Sequence, residues 1–311
     1  MNRLVLILAL VVALPFYGNA QRKRAFLVGI SNYQSNGYKV WDNIHGAEDV
    51  ALLTPELKKK GFAVQSLTNE QATYQGILNA LNEFIRKSKK GDIIYLHFSC
   101  HGQPVEDGML GDEKDEKDHW DESIVPIDAG KTYDAIKYNG KKHITDDILN
   151  AKLKILREVI GPKGILYVIL DACHSGDSYR PDGTIRGSSE GLSKNGKAYN
   201  SRKVQRTISN DSTRPHSNYI NDKEKKGLAH IILIEACQPW EINSEIFVDG
   251  NEYGSLSYHI YLLFTIWQKH NKDLNTNRRD FISDIKSIVE KSKYWPRNDI
   301  KQNLVVESSY R

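Results

Sequence analysis

Residues 165–176, ILYVILDACHSG, decide how the rest of the chain is read. The apolar run from Ile165 to Leu170, partly β-branched, is too short for an independent helix and predicts a buried strand of a parallel sheet. It stops on Asp171-Ala172-Cys173-His174-Ser175-Gly176, small and polar residues with a glycine that lets the chain turn away. A cysteine is thereby placed at the carboxyl end of a buried strand, the edge of an open α/β sheet where ligands usually bind. Its thiol is expected to be held rigidly and to be reachable there.

The stretches on either side repeat this design. Residues 25–30 (AFLVGI) predict a first strand, 62–67 a second, and 93–99 (IIYLHFS) a third that also ends in a polar cluster, Cys100-His101-Gly102. Between them, 47–60 has helical spacing at Val50, Leu53 and Leu57, with Pro55 as a kink or a new turn. Residues 74–89 give the clearest helix, with Ile77, Leu78, Leu81, Phe84 and Ile85 on one face. A helix is predicted over 144–160 with Thr145 as N-cap. After the cysteine, residues 178–227 are polar, lack apolar spacing and predict a long mobile loop. A strand at 230–236, helices at 256–267 and 280–292 and a late strand at 303–307 complete the chain. Strands alternating with helices predict an α/β fold, a mostly parallel sheet with helices on both faces.

The 311 residues, 40% apolar and 26% charged, suit one globular domain over 21–311 with long surface insertions. Residues 1–20 stand apart: Asn2 and Arg3 precede an apolar run to Phe16, and Gly18-Asn19-Ala20 offers small residues at a cleavage site. This predicts a signal peptide and export, periplasmic or extracellular, with Gln21 as the mature N-terminus. A retained membrane anchor is the competing reading, but the run breaks at Pro15, short of the roughly 20 apolar residues a span needs. Without Arg3 the 43 basic against 39 acidic residues become 42 against 39, a balance with no bulk attraction to nucleic acid or membranes. Three cysteines, Cys100, Cys173 and Cys237, make no disulfide framework even in an exported protein. At least one thiol stays free, and Cys173 is the candidate.

His101 and Cys173 follow two strands that share an edge if both are parallel. An unperturbed cysteine is only a few per cent thiolate at neutral pH, so a histidine nearby activates it and later protonates the leaving amine. The Gly102 N–H, unhindered by a side chain, can join the Cys173 N–H in an oxyanion hole, worth roughly 10²- to 10³-fold per donor. Two other readings exist. Cys173 and His101 can be satisfied structural residues, but both sit in Gly-terminated clusters after apolar strands. A zinc site of Cys100, His101, Cys173 and His174 lacks the usual spacing, and neighbours in extended chain point to opposite faces. Cys237 reads as packing, and Cys100 faces away from His101.

The chain resembles the caspase-like cysteine peptidases, and among them the metacaspases. The resemblance rests on HFSCHG (97–102) and DACHSG (171–176), with GISNY (29–33), DESIVPID (121–128), ITDDIL (144–149), EACQ (235–238) and GSLSYHI (254–260) in the family's order. It implies a caspase-type sheet, a His101/Cys173 dyad cutting peptide bonds, protein or peptide substrates, and no cofactor for the chemistry itself. It also implies a substrate pocket of Asp49, Ser99 and Asp171. Strand geometry supports this in part, because Ser99 and His101, like Asp171 and Cys173, are two residues apart and share a side. A carboxylate there selects a substrate lysine or arginine; the alternative is that Asp171 caps its own turn. Gly46 stands where metacaspases often carry a cysteine. Metacaspases can use calcium, and Asp121, Asp146 and Asp147 match positions that bind it; the family's further aspartate falls on Arg180, with Asp177 and Asp182 as substitutes. The acidic stretch 112–122 otherwise reads as a solvated face. A basic-selective enzyme is expected to cut its own 178–227 loop at a residue such as Arg186, Lys203, Arg206 or Arg214, leaving two associated fragments. The rivals are cleavage after aspartate, which needs arginines absent from 31–49 and 238–247, and a catalytically silent binding protein of the same fold.

Overall fold

Strands alternate with helices because the apolar periodicity switches between two and 3.6 along the chain. In the computed structural model, which describes residues 21–33, 41–111, 116–173, 184–188, 190–209, 226–296 and 302–309, the order begins β1 (Lys23–Gly29), α1 (Gly46–Lys59), β2 (Ala63–Thr68), α2 (Tyr74–Arg86) and β3 (Ile93–Ser99). A small antiparallel unit follows, β4 (Gly102–Glu106), β5 (Trp120–Ile124) and β6 (Ile144–Thr145), then α3 (Asp146–Ile160) and β7 (Ile165–Asp171). The remainder is α4 (Ser201–Ser209), β8 (His230–Glu235), β9 (Glu245–Val248), β10 (Asn251–Gly254), α5 (Ser255–Lys269), α6 (Arg278–Lys291) and β11 (Val305–Ser308). The predicted signal segment 1–20, and His174, Asp177, Arg180, Asp182 and Arg214, lie outside the described residues.

The main sheet runs β11-β8-β7-β3-β1-β2. Its first five strands in sequence order along the main sheet (β1, β2, β3, β7 and β8) pair in parallel, and β11 closes the β8 edge antiparallel. This is the mostly parallel α/β architecture that the sequence predicts. Alternate residues of each strand enter opposite cores. Phe26, Val28, Ile94, Leu96, Phe98, Val168 and Leu170 pack with α2 and α3. Leu27, Ile93, Tyr95, Tyr167, Ile169 and Ile234 pack with α1, α5 and α6. Each aliphatic side chain so buried contributes about 1.5–3 kcal/mol, which fixes the register. A slip of one residue would exchange the two faces.

Two glycines bring α1 against the carboxyl ends of β1 and β3. A Cβ on Gly46 would overlap the Ser99 carbonyl oxygen and lie 2.7 Å from the Ile30 N; one on Gly29 would overlap the Gly46 carbonyl. That close approach delivers Asp49, one turn into α1, to the strand ends. The helix continues through Pro55, whose missing N–H would have faced the carbonyl of the exposed Ala51.

Several expectations need correction. The 144–160 helix begins at Asp146, because Ile144 and Thr145 pair with β5; Thr145 is the N-cap but makes no side-chain capping bond. Residues 118–122 are no solvated face: Trp120–Ile124 is a strand, and Asp118, Asp121 and Glu122 are buried. The 245–254 hairpin of β9 and β10 was not foreseen. Within the segment expected to be a loop, Ile185, Leu192, Val204 and Ile208 are buried and α4 is formed. Its polar composition conceals apolar residues that serve one at a time. No helix among the described residues is long and apolar enough to cross a membrane.

Candidate active site

Register places the two polar clusters side by side. Ser99 pairs with Asp171 across β3 and β7, so the chain segments leaving these strands carry His101 and Cys173 out at one edge. The backbone N–H groups of Gly102 and Cys173 converge on one acceptor, the Arg186 carbonyl oxygen, at 3.1 and 3.0 Å. Two donors on a single oxygen is the arrangement an oxyanion hole requires.

His101 is fully buried and clamped between aromatic rings. Trp41 stacks on it and Tyr33 tilts against it, each with centroids 4.8 Å away. The Tyr33 hydroxyl accepts the His101 backbone N–H and donates to the Val125 carbonyl, both at 2.9 Å. Imidazole Nε2 lies 2.8 Å from the Asp42 carbonyl, an acceptor only, so Nε2 carries the proton and the lone pair is on Nδ1. Nδ1 is buried and has no hydrogen-bond partner among the described residues. Burial lowers the His101 pKa to about 4, which keeps the ring neutral and able to accept a proton at neutral pH.

The Cys173 thiol is buried and donates to the Glu241 carbonyl at 3.0 Å. Cys237 lies beside it, and its own pKa is raised by the hydrogen bond with Cys173 and by burial. Cys100 belongs to the core that packs α2 and α3, and burial pushes its thiol up to about 12. None of the three cysteines forms a disulfide.

Asp49, Ser99 and Asp171 meet as the sequence predicts, and all three are fully buried. Ser99 Oγ donates to Asp49 Oδ2 at 2.7 Å, and the Gly254 N–H donates to Asp49 Oδ1 at 3.0 Å. Asp171 accepts from the Ser257 N–H at 2.7 Å, the Ser257 hydroxyl at 2.6 Å and the Asn243 amide at 2.7 Å. Those donors come from α5 and the segment before β9, so Asp171 is not committed to capping its own turn.

The pocket holds a guanidinium of the chain itself. Arg186 is fully buried; its Nη2 lies 2.8 Å from Asp49 Oδ2 and 2.7 Å from Glu245 Oε1. Its Nη1 donates to Ser99 Oγ and lies 3.9 Å from Asp171 Oδ2. Burial opposes the charge on Arg186, but Asp49, Asp171 and Glu245 outweigh it and raise the pKa. Burial likewise pushes Asp171 and Glu245 up, and Arg186 prevails, holding both below their ordinary values. Asp49 goes the other way: burial raises it to about 7 against the pull of Arg186. Glu245 was not among the sequence candidates, since nothing in a short exposed-looking hairpin marks it. Trp41, in the irregular segment before α1, is likewise unmarked by any periodicity.

Residues 184–188 lie along this site as an added strand. The Arg186 N–H donates to the Asn243 carbonyl at 3.0 Å and the Glu245 N–H to the Thr184 carbonyl at 2.8 Å. Ile185 bridges Ser244 antiparallel, and Gly187 bridges Gly102.

The proposed calcium residues lie elsewhere. Asp121 in β5 and Asp146 at the start of α3 are buried, and Asp147 is partly exposed. Their oxygens are not gathered within 4.8 Å; among the described residues that closeness belongs to His45, Glu245 and Glu252. Charge in the region is nonetheless concentrated. Burial, with Asp146, Asp118, Glu235 and Asp121 nearby, raises the Glu122 pKa well above normal.

Comparison with known proteins agrees with the architecture. The family described as Caspase domain matches residues 22–308. The chain is 24% identical to Metacaspase-1 of Lodderomyces elongisporus over 305 residues, 88% of this chain and 63% of that protein. It is 31% identical to Metacaspase-2 of Arabidopsis thaliana over 170 residues, 52% of this chain and 36% of that one. It therefore spans less than two thirds of these relatives. The crystal structure of protein GSU0716 from Geobacter sulfurreducens has the same fold, with a TM-score of 0.56, 21% identity and coverage of 92% and 93% of the two chains.

Proposed function

The chain belongs to the caspase-domain family, and from this premise we propose that it is a cysteine endopeptidase cutting after arginine or lysine with His101 and Cys173 as its dyad. The observation that carries the specificity is the docking of Arg186, with its guanidinium among Asp49, Asp171 and Glu245 and its carbonyl oxygen on the Gly102 and Cys173 N–H groups. A substrate arginine entering the same place is paired at once, whereas a substrate aspartate meets three carboxylates. The planar guanidinium uses the fork of acceptors better than an ammonium does, so arginine exceeds lysine.

In the reaction, His101 Nδ1 takes the Cys173 proton as the thiol turns from the Glu241 carbonyl to the scissile carbon. The oxyanion forms between the Gly102 and Cys173 N–H groups. His101 then protonates the leaving amine, and water attacks the thioester with His101 again as base. Burial keeps that histidine neutral before the first proton transfer.

Peptides differing only before the scissile bond test the reading: arginine, lysine, citrulline and aspartate. Arginine is expected to be cut fastest and aspartate not at all; a preference for aspartate would overturn the specificity. An arginyl chloromethyl ketone should alkylate Cys173, and a protein that neither cuts nor labels is a silent binding protein. Calcium is proposed, on the family resemblance and the burial of Asp121 and Asp146, as an accessory ion at Asp121, Asp146 and Asp147, whose oxygens would have to draw together to hold it. No step of the chemistry runs through it.

A further inference from the structure

We infer that the Arg186–Gly187 peptide bond is the bond this enzyme cuts in itself, because residues 184–188 occupy the site in the pose a substrate takes. The inference rests on the peptidase reading above and adds the identity of the bond. Four contacts support it independently. The Arg186 carbonyl is the acceptor on both candidate oxyanion donors. Its side chain fills the acidic pocket. Its N–H and the Thr184 carbonyl are paired to residues 243–245 as an antiparallel strand, the way extended peptides commonly dock on a sheet edge. Gly187, the first residue beyond the bond, is pressed on the nucleophile's own residue: a Cβ there would overlap the Cys173 carbonyl oxygen and come 3.0 Å from the Cys173 Cβ. Among the described residues no other basic side chain of the segment has this setting: Lys203 and Arg206 lie within α4.

The step is a hydrolysis in cis. Cys173 sulfur bonds to the Arg186 carbonyl carbon, the bond to the Gly187 nitrogen breaks, and His101 delivers the proton that makes the new amine. Water then releases Arg186 as a carboxylate and restores the thiol. The two pieces stay together, since β7 on one pairs with β8 on the other over six residues. Until the cut, residues 184–188 and an external peptide compete for the same pocket and the same two N–H groups. The leaving-side crowding extends to other substrates, making glycine the preferred residue after the scissile bond.

Freshly purified full-length protein, followed by intact mass and N-terminal sequencing, tests this directly. A new terminus at Gly187 is expected, appearing with first-order kinetics unchanged over a hundredfold range of protein concentration. Turnover of an arginyl peptide should rise in step with it. Cys173→Ala should stay whole. Because Arg186→Ala leaves three buried carboxylates without their cation and can fail to fold, Gly187→Ala serves as the second variant: self-cleavage at least tenfold slower, with Arg186→Lys still cut at the same bond. Active protein that remains whole, or that is cut first at Lys203, Arg206 or Arg214, overturns the inference while the peptidase reading stands. Protein that neither turns over arginyl peptides nor labels with the arginyl chloromethyl ketone removes the reading itself, and the inference with it.

Discussion

Asp49 and Asp171 face one guanidinium from different elements, and they titrate differently. Burial raises Asp49 to about 7 with Arg186 in place, and removing that cation would raise it further. An empty pocket therefore holds Asp49 protonated where an occupied one holds it ionised, and binding of arginine releases a proton. The sign follows: KM for arginyl peptides should be flat below about pH 7 and fall by up to about tenfold per pH unit above it. Asp49→Asn should flatten that limb, and KM measured between pH 6 and 8.5 decides. Asp171 is held ionised by Arg186 and by donors from Ser257 and Asn243. Truncating one partner of a buried charge pair costs about 2–5 kcal/mol, so Asp171→Asn should lower kcat/KM after arginine at least tenfold. It should not create cleavage after aspartate, because neutralising the pocket supplies no cation. Ser99 and Asp171 are implied by the family resemblance, and a period of two counted back from His101 and Cys173 supports them. Glu245 and Trp41 are not so marked, because their parts depend on chain segments distant in sequence that no periodicity connects.

Elements bring these residues together, and the most exposed dependence is the packing of α1 on the strand ends. Gly46 has no room for a side chain against the Ser99 carbonyl and Ile30, so Gly46→Ala must push the start of α1 outward and carry Asp49 with it. Overpacking of this kind typically costs about 1–3 kcal/mol. The expected result is a lower Tm together with a kcat/KM for arginyl peptides reduced at least tenfold; an unchanged KM would mean that Asp49 keeps its place without that contact. Long parallel strands were legible because burial on both faces makes them apolar runs, as in Ile165–Asp171. The short antiparallel strands were not. Trp120–Ile124 carries Asp121, Glu122 and Ser123 in its middle, a composition that signals loop until the structure shows these side chains turned inward. Nothing in the sequence around Tyr33 marks its hydroxyl, which the fold places to hold the His101 backbone.

Across the whole molecule, that inward turn gathers negative charge from separate parts of the chain. Asp118, Asp121, Asp146 and Glu235 all act on Glu122, which is buried with them and has its pKa raised well above the ordinary value. A carboxyl raised by folding favours the folded state in its protonated form, so this contribution is present at low pH and is lost as pH rises above the unfolded value. Calcium does the opposite, since it binds the ionised carboxylates and must compete with their protons. If Asp121, Asp146 and Asp147 hold it, stabilisation by calcium should be small near pH 5.5 and grow toward pH 8. At a hundredfold excess over its Kd a ligand adds about 2.7 kcal/mol, and a chain of this size gains roughly 2–4 °C in Tm per kcal/mol. The expected difference between calcium and chelator at pH 8 is therefore about 5–10 °C, and Asp146→Asn should abolish it. Melting curves that coincide with and without calcium at both pH values would remove calcium from these carboxylates.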